Sequence, residues 1–448
     1  MWCSVFAEPL VSPHNFGMKR PSSVYSGLWG ALLPLASFLL LTSVSPVARG
    51  AEIERLTLQQ ARLLMLERNR ELQLARHAVS GAEADITIAG APPNPILTLS
   101  TARIGPADQD TSPLIRRIDA GVGVTQLFER GRKRELRTEA ARFAYTAAQN
   151  DQVDVERQQR IAVDQAYYDL LLAQEKQLVA EEGAGLFDKT IEAAERRVQA
   201  GDLSRADLAR LSVDALRARN EVDNARLEQI KAQVTLAYLI GLERDAQRIR
   251  AAESWPPIAI APALPEIERV VAQRADVQAA QARIQQADKN RALAQALRTR
   301  DITAGVQYDH APTDVVRNSV GLNVSVPLFT RYYFQGEIRR AESDYLASQT
   351  ALERVRAAAI SQVSGAAGAL GSAAERVRRF QERLLAAAEQ AASGAEFAYT
   401  RGAIGVMDLL DARRQLHVTR LEYASALADY ARANSVWLAA TETPKPAP

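Results

Sequence analysis

The sequence predicts a mainly α-helical chain that carries two β-hairpins of bilayer-crossing length, built as one unit repeated twice. Three observations predict it. A stretch around Gly201 recurs around Gly402: Gly201 and Gly402, Asp207 and Asp408, and Leu208 and Leu409 are each 201 positions apart. In both copies a helical pattern stops at the glycine and resumes with an aspartate in the next first turn, as a duplicated helical hairpin would. No proline stands between Pro113 and Pro256 or between Pro327 and Pro444, which leaves room for very long helices. Ahead of each long helix the apolar period changes from 3.6 to 2.

Composition narrows the function classes. Lys and Arg total 55 against 53 Asp and Glu, so the charge balance points to no nucleic-acid partner. A single cysteine, Cys3, rules out a disulfide framework. His14, His77, His310 and His417 are scattered, with no His-x-x-x-His spacing and no nucleotide-binding glycine loop. No cofactor, resident metal or catalytic constellation is expected, and the chain does not read as an enzyme.

The amino terminus, 1–50, reads as an export signal. Met18, a candidate start, leads Lys19 and Arg20; 28–41 is an apolar run too short to span a bilayer comfortably; Ala48 and Gly50 stand at −3 and −1 before Ala51. The mature chain is expected to begin near Ala51, outside the cytoplasm.

The first repeat, 51–250, opens on a helix. Thr57 and Gln60 fit a capping box, and apolar positions recur at Leu58, Ala61, Met65, Leu72 and Ala75. Pro92, Pro93 and Pro95 end that helix. Behind a hairpin over 96–128, a helix over 132–200 would run roughly 100 Å at ~1.5 Å per residue. Gly183 and Gly185 are its soft points, and the chain returns over 203–241. A proline-rich linker, 251–265, separates the halves. In the second repeat, 266–440, the same roles fall to a helix over 266–300, a hairpin over 301–329, a limb over 332–401 softest at 391–394, and a return over 408–440. A flexible tail, 441–448, follows. Alanine-rich limbs suit closely packed helices with little core of their own, so lateral assembly is expected.

The strands alternate. Ile118, Ala120, Val122 and Val124 oppose Asp119, Gly121, Gly123 and Thr125; Ile302, Ala304, Val306 and Tyr308 oppose Thr303, Gly305, Gln307 and Asp309. Val320, Leu322, Val324 and Val326 oppose Gly321, Asn323 and Ser325, while 96–103 is weaker, with Leu97 and Leu99 as its best face. Loops near 105–113 and 310–318 join each pair. A half-buried sheet on helices would alternate in the same way. These strands, however, have the ~9–11 residues that cross a bilayer when tilted, and their other face suits a wet lumen. Phe128, Phe329, Tyr332, Tyr333 and Phe334 stand at strand ends, where an interfacial aromatic belt would lie. Four strands cannot close, and lipid tolerates no open edge. Several chains must then share one barrel: three would make twelve strands and a water-filled bore, two would make eight, filled by side chains.

The chain resembles the TolC family of outer-membrane efflux proteins over nearly all of 56–440. The residues that carry the resemblance are Pro93, Asn94 and Pro95 before the first hairpin, the strand ends Leu127-Phe128 and Pro327-Leu328-Phe329, and the tips Gly201 to Asp207 and Tyr399 to Asp411. Glu129, Gly131, Lys133 and Arg134, answered by Gln335, Gly336 and Glu337, resemble the Glu-x-Gly-Gly-Lys-Arg run of the cobalt–zinc–cadmium resistance (CzcC-like) branch, with Arg132 where a second glycine is usual. The basic run 130–137 by itself reads as a solvated or headgroup-facing helix start.

That resemblance implies a homotrimer whose twelve-stranded β-barrel in the outer membrane continues into an α-helical barrel across the periplasm. It also implies two partners, a periplasmic membrane-fusion adaptor and an inner-membrane RND-type pump, with outer-membrane lipid around the barrel. The duct would carry heavy-metal cations; multidrug efflux or type I secretion by the same fold is the alternative. A periplasmic coiled-coil adaptor would share the long hairpins but have no use for the strands. Asp408 and Asp411, three apart on one helix face, would form an acidic ring at the closed periplasmic mouth. Tyr399, Asp207 and Arg401 would belong to the gate, where Ile404 replaces an arginine that can pair across the tips. Gly201, Asp202, Leu203, Gly402, Ala403 and Ile404 would be the adaptor-docking tips.

Overall fold

The computed structural model describes residues 55–102, 118–258, 266–311 and 314–441. The expected export signal, the loop near 105–113, residues 259–265 of the linker and 442–448 of the tail lie outside the described residues.

The first repeat runs α1 (Leu58–Arg68), α2 (Arg70–Gly90), β2 (Ile96–Ala102), β3 (Asp119–Phe128), α3 (Lys133–Ala200) and α4 (Arg205–Ile240). The second runs α5 (Ile267–Gln273), α6 (Ala275–Ala296), β5 (Ile302–His310), β6 (Asn318–Ser325), α7 (Gln335–Arg379), α8 (Leu385–Thr400) and α9 (Val406–Thr441). Two short strands, β1 (Arg55–Leu56) and β4 (Arg250–Ala251), pair in parallel and bring the start of the first repeat to its end. Neither they nor the 3₁₀ turn Glu243–Arg248 carries a legible period.

Each opening helix, expected to be continuous, is broken in two. Asn69 leaves helical geometry (φ −63, ψ 127), and its side chain caps α2 by accepting from Leu72 N at 3.1 Å. Its amide donates to Gln159 and to the carbonyl of Leu239, both half-buried, which offsets the break. Arg274 breaks the second copy between α5 and α6 and clasps Asp276 at 2.7 Å. Burial pushes the Asp276 carboxyl up, but the Arg274 guanidinium outweighs it and holds the carboxyl below its usual value.

The first long limb is one unbroken helix. α3 is 68 residues, roughly 100 Å at ~1.5 Å per residue, and it passes Gly183 and Gly185 without a break. The second limb is interrupted at a π-helical turn, Phe380–Leu384, and not at 391–394. There Phe380 lies against Tyr423, with ring centroids 6.1 Å apart, while Gln381 donates to the Tyr423 hydroxyl. That partner on α9 decides the site of the bulge; local glycine content does not. Much of the buried surface of these limbs is alanine, as close helix packing requires. The stretch 251–258 is pinned: Trp255 stacks on Tyr168 and donates to Glu175, and Tyr167 accepts from Glu253 N.

The strands form one antiparallel sheet in the order β2-β3-β5-β6. The register sets Ser100, Gly121 and Asp309 side by side on one face, and Leu99, Val122, Tyr308 and Val320 on the other. The apolar face is uncovered, with Leu99 74% and Leu322 83% exposed. On the polar face a Cβ at Gly121 would fall 2.5 Å from both Ser100 Oγ and Asp309 Oδ1, so the absent side chain makes room for its neighbours. β2 and β6 are the free edges of this sheet. No described helix is long and apolar enough to cross a membrane.

In the basic run 130–137, Arg130, Arg132 and Arg134 are exposed, as a solvated helix start would have them, but Lys133 and Arg137 are not. Lys133 is 7% exposed, and its ammonium donates to the carbonyl of Thr299 and to Asp301 Oδ2, both at 2.8 Å. Arg137 donates two bonds to Glu129 and one to the carbonyl of Ala89. These residues lock sheet to helices across both repeats. Gly131 and Arg132 are both left-handed (φ 74 and 58). Phe334 (φ 61) holds the matching place before α7. A left-handed non-glycine costs about 1–2 kcal/mol, and glycine's extra flexibility returns about half of that. Arg132 offers only an exposed pair with Glu139 at 3.7 Å in exchange. Arg132→Gly is therefore expected to stabilise the protein by ~0.5–1 kcal/mol, read as a higher thermal midpoint in detergent; a lower midpoint would show that the side chain outweighs the backbone strain.

Candidate gate at the helical tips

The two tips close with the same backbone bonds. α3 ends at Gly201 (φ 83), where Gly201 N donates to Val198 O at 3.1 Å and Asp202 N to Arg197 O at 2.8 Å. α8 ends at Gly402 (φ 73), where Gly402 N donates to Tyr399 O and Ala403 N to Ala398 O, both at 2.9 Å. This is a Schellman closure, and nothing within 4 Å of either glycine would oppose a Cβ, so the left-handed backbone alone calls for glycine.

The restarts differ. Ser204 caps α4, accepting from Asp207 N at 3.1 Å while its hydroxyl donates to Asp207 Oδ2 at 2.7 Å. In the second copy Gly405 stands at that place, and Asp408 Oδ2 reaches back to accept from Gly405 N at 3.2 Å. Asp207 is further paired with Arg210 at 3.5 Å. Asp411 is 82% exposed and 3.7 Å from Arg414. Asp408 and Asp411 thus lie three apart at an exposed helix start, while Asp207 is taken up by its own turn.

Within the chain, Tyr399 and Asp207 do not bond to each other. Arg197 donates to the Tyr399 hydroxyl at 2.9 Å and lies over its ring. Arg401 lies over Phe397 at 4.7 Å. The two tips meet in a small core of Ala194, Leu211, Val406 and Leu410, against which Leu203, Leu208 and Tyr399 pack. Leu203 is therefore half in that core, while Gly201, Asp202, Gly402 and Ala403 are exposed and Ile404 is half-buried. Arg197, and the cross-hairpin pair Arg414–Asp214 at 3.4 Å, escaped sequence reading, since each depends on a partner about 200 positions away. Among the described residues no cluster of three or more His, Cys, Asp and Glu side chains is placed to hold a metal ion.

Of the aromatics at the strand ends, Phe128, Tyr332 and Tyr333 are exposed. Phe329 and Phe334 turn onto each other, edge to face at 5.1 Å. Tyr332 also works locally: it donates to Glu337 at 2.6 Å and accepts from Gly336 N at 3.0 Å.

A family model described as outer membrane efflux protein matches residues 62–242 and 267–436, most of the chain. The chain belongs to that family. Its members are channels, not enzymes, and this protein is an outer-membrane channel of a tripartite efflux system, with a long periplasmic helical part. The cobalt-zinc-cadmium resistance protein CzcC of Cupriavidus metallidurans is 26% identical over 398 residues, covering 86% of this chain and 90% of CzcC. Among solved structures, CusC superposes with a TM-score of 0.73 at 20% identity, covering 86% of this chain and 91% of CusC. The outer membrane protein VceC of Vibrio cholerae gives 0.69 at 19% identity, covering 86% and 95%. These likenesses carry the fold of the channel family.

Proposed function

We propose that this protein is the passive exit duct for heavy-metal cations, driven by an inner-membrane RND-type pump through a periplasmic adaptor. The observation that carries this reading is the 26% identity with CzcC, a cobalt-zinc-cadmium resistance protein, along nearly the whole of both chains. The sheet supports a shared barrel, because four strands with an apolar face and two open edges are unstable in lipid until neighbours complete them. Three chains give a twelve-stranded, water-filled barrel continuing into an α-barrel. Phe128, Tyr332 and Tyr333 then form the interfacial belt, with Phe329 and Phe334 buttressing it. The periplasmic mouth is closed by the tips: Asp408 and Asp411 make its cation-favouring ring, Tyr399 and Arg197 hold the two hairpins of each chain, Arg401 and Asp207 flank them, and the exposed tip residues meet the adaptor. Selectivity among metals rests with the pump. Deleting the gene is expected to lower the growth-inhibiting concentration of cobalt, zinc or cadmium several-fold, scored beside nickel, copper and a drug panel. Sensitivity to drugs with no metal affected would assign the duct to organic compounds instead.

A further inference from the structure

Above the tips, the two hairpins of one chain are joined by a histidine. His417 of α9 has Nε2 3.7 Å from Glu221 Oε2 of α4. Its ring also lies on the backbone of α3, where a Cβ at Gly183 would stand 3.3 Å from Nδ1. The imidazole of α9 thus meets α3 and α4 of the other repeat, on the wall of a cavity of about 380 Å³ lined also by Leu186, Phe187 and Leu410. The other charged groups facing that cavity are engaged. On α3, Glu182 pairs with Arg420 at 3.7 Å. On α4, Asp214 pairs with Arg217 at 3.5 Å and with Arg414 at 3.4 Å. On α9, Arg413 reaches Glu396 of α8 at 3.2 Å, and Arg420 also reaches Glu389 at 3.6 Å. Among these links, His417–Glu221 alone contains a group whose ordinary titration falls between pH 5 and 8.

We propose that His417 and Glu221 form a proton-operated latch that holds the two hairpins of each chain together and sets how readily the tips part. The proposal rests on the reading of the tips as the gate. The sign follows from charge: a protonated imidazole attracts Glu221 and the latch is shut, whereas a neutral ring leaves the hairpins without that link. Glycine at 183 lets the ring sit deep enough to reach Glu221, so the latch depends on a missing side chain as well as on charge.

The test uses the full chain, purified in detergent and reconstituted in planar bilayers. Three partly exposed pairs acting together correspond to about a tenfold change, so open probability at pH 8 is expected to exceed that at pH 5.5 by about tenfold. His417→Gln and Glu221→Gln should abolish the step and stay at the high level. His417→Arg should stay at the low level at both pH values. Gly183→Ala changes no charge yet should flatten the step by lifting the ring; if that variant fails to assemble, the His417 variants decide alone. A step that persists in His417→Gln, or a His417→Arg channel that behaves like His417→Gln, would overturn the latch. If the wild type shows no step while an Asp408→Ala/Asp411→Ala channel is altered, the latch fails and the gate stands; if neither responds, the gate reading falls as well.

Discussion

Replacing Asp408 and Asp411 together by alanine is expected to lower the cation-over-anion permeability ratio of the reconstituted channel about five- to tenfold and to raise its resting conductance. Two carboxylates ~6 Å apart repel by on the order of 3 kcal/mol at an effective dielectric of ~20, and three chains would gather six around one axis. Arg414 lies 3.7 Å from Asp411, and Asp408 accepts from Gly405 N, so part of that field is already countered. What remains, about 1–1.4 kcal/mol acting on a passing ion, converts to the stated factor. Asp207→Ala should change resting conductance less than the double substitution, because Asp207 is bonded to Ser204 and Arg210 in its own turn. Single-channel recordings giving the reverse order would remove the acidic ring from the gate.

The largest loss of stability is expected from Lys133→Met. The ammonium is nearly enclosed and holds Asp301 at 2.8 Å, whose other oxygen accepts from Arg130 N at 2.9 Å. Methionine fills much of the same volume but leaves the Asp301 carboxylate without its counter-charge. Removing one partner of a buried pair costs about 3–5 kcal/mol; Asp301 is 24% exposed, which reduces this to about 2–3 kcal/mol. Lys133→Met/Asp301→Leu, which removes both charges, should recover at least half of the loss. The measurement is helix loss by circular dichroism during thermal unfolding in detergent. A Lys133→Met protein that melts with the wild type would show that the Lys133–Asp301 pair does not hold the fold. Around this pair Glu129 holds Arg137, Gly131 turns the chain, and Lys133 crosses to the second repeat.

Sequence alone determined the features that depend on neighbours near in the chain. Proline-free stretches, period changes and glycine stops act over a few residues, so the duplicated order of elements, the four strands and both tips at Gly201 and Gly402 were all legible. The tertiary structure decided what depends on a partner far along the chain. Asn69 and Arg274 sit at helix breaks where distant acceptors, Leu239 O and Gln362, meet their side chains, and the π turn at Phe380 forms where Tyr423 packs. Lys133 is buried because Thr299 and Asp301 meet it, and the Tyr399 hydroxyl accepts from Arg197. Each of these outcomes balances a local cost against a bond to a residue at least 40 positions away, and no local pattern records that bond.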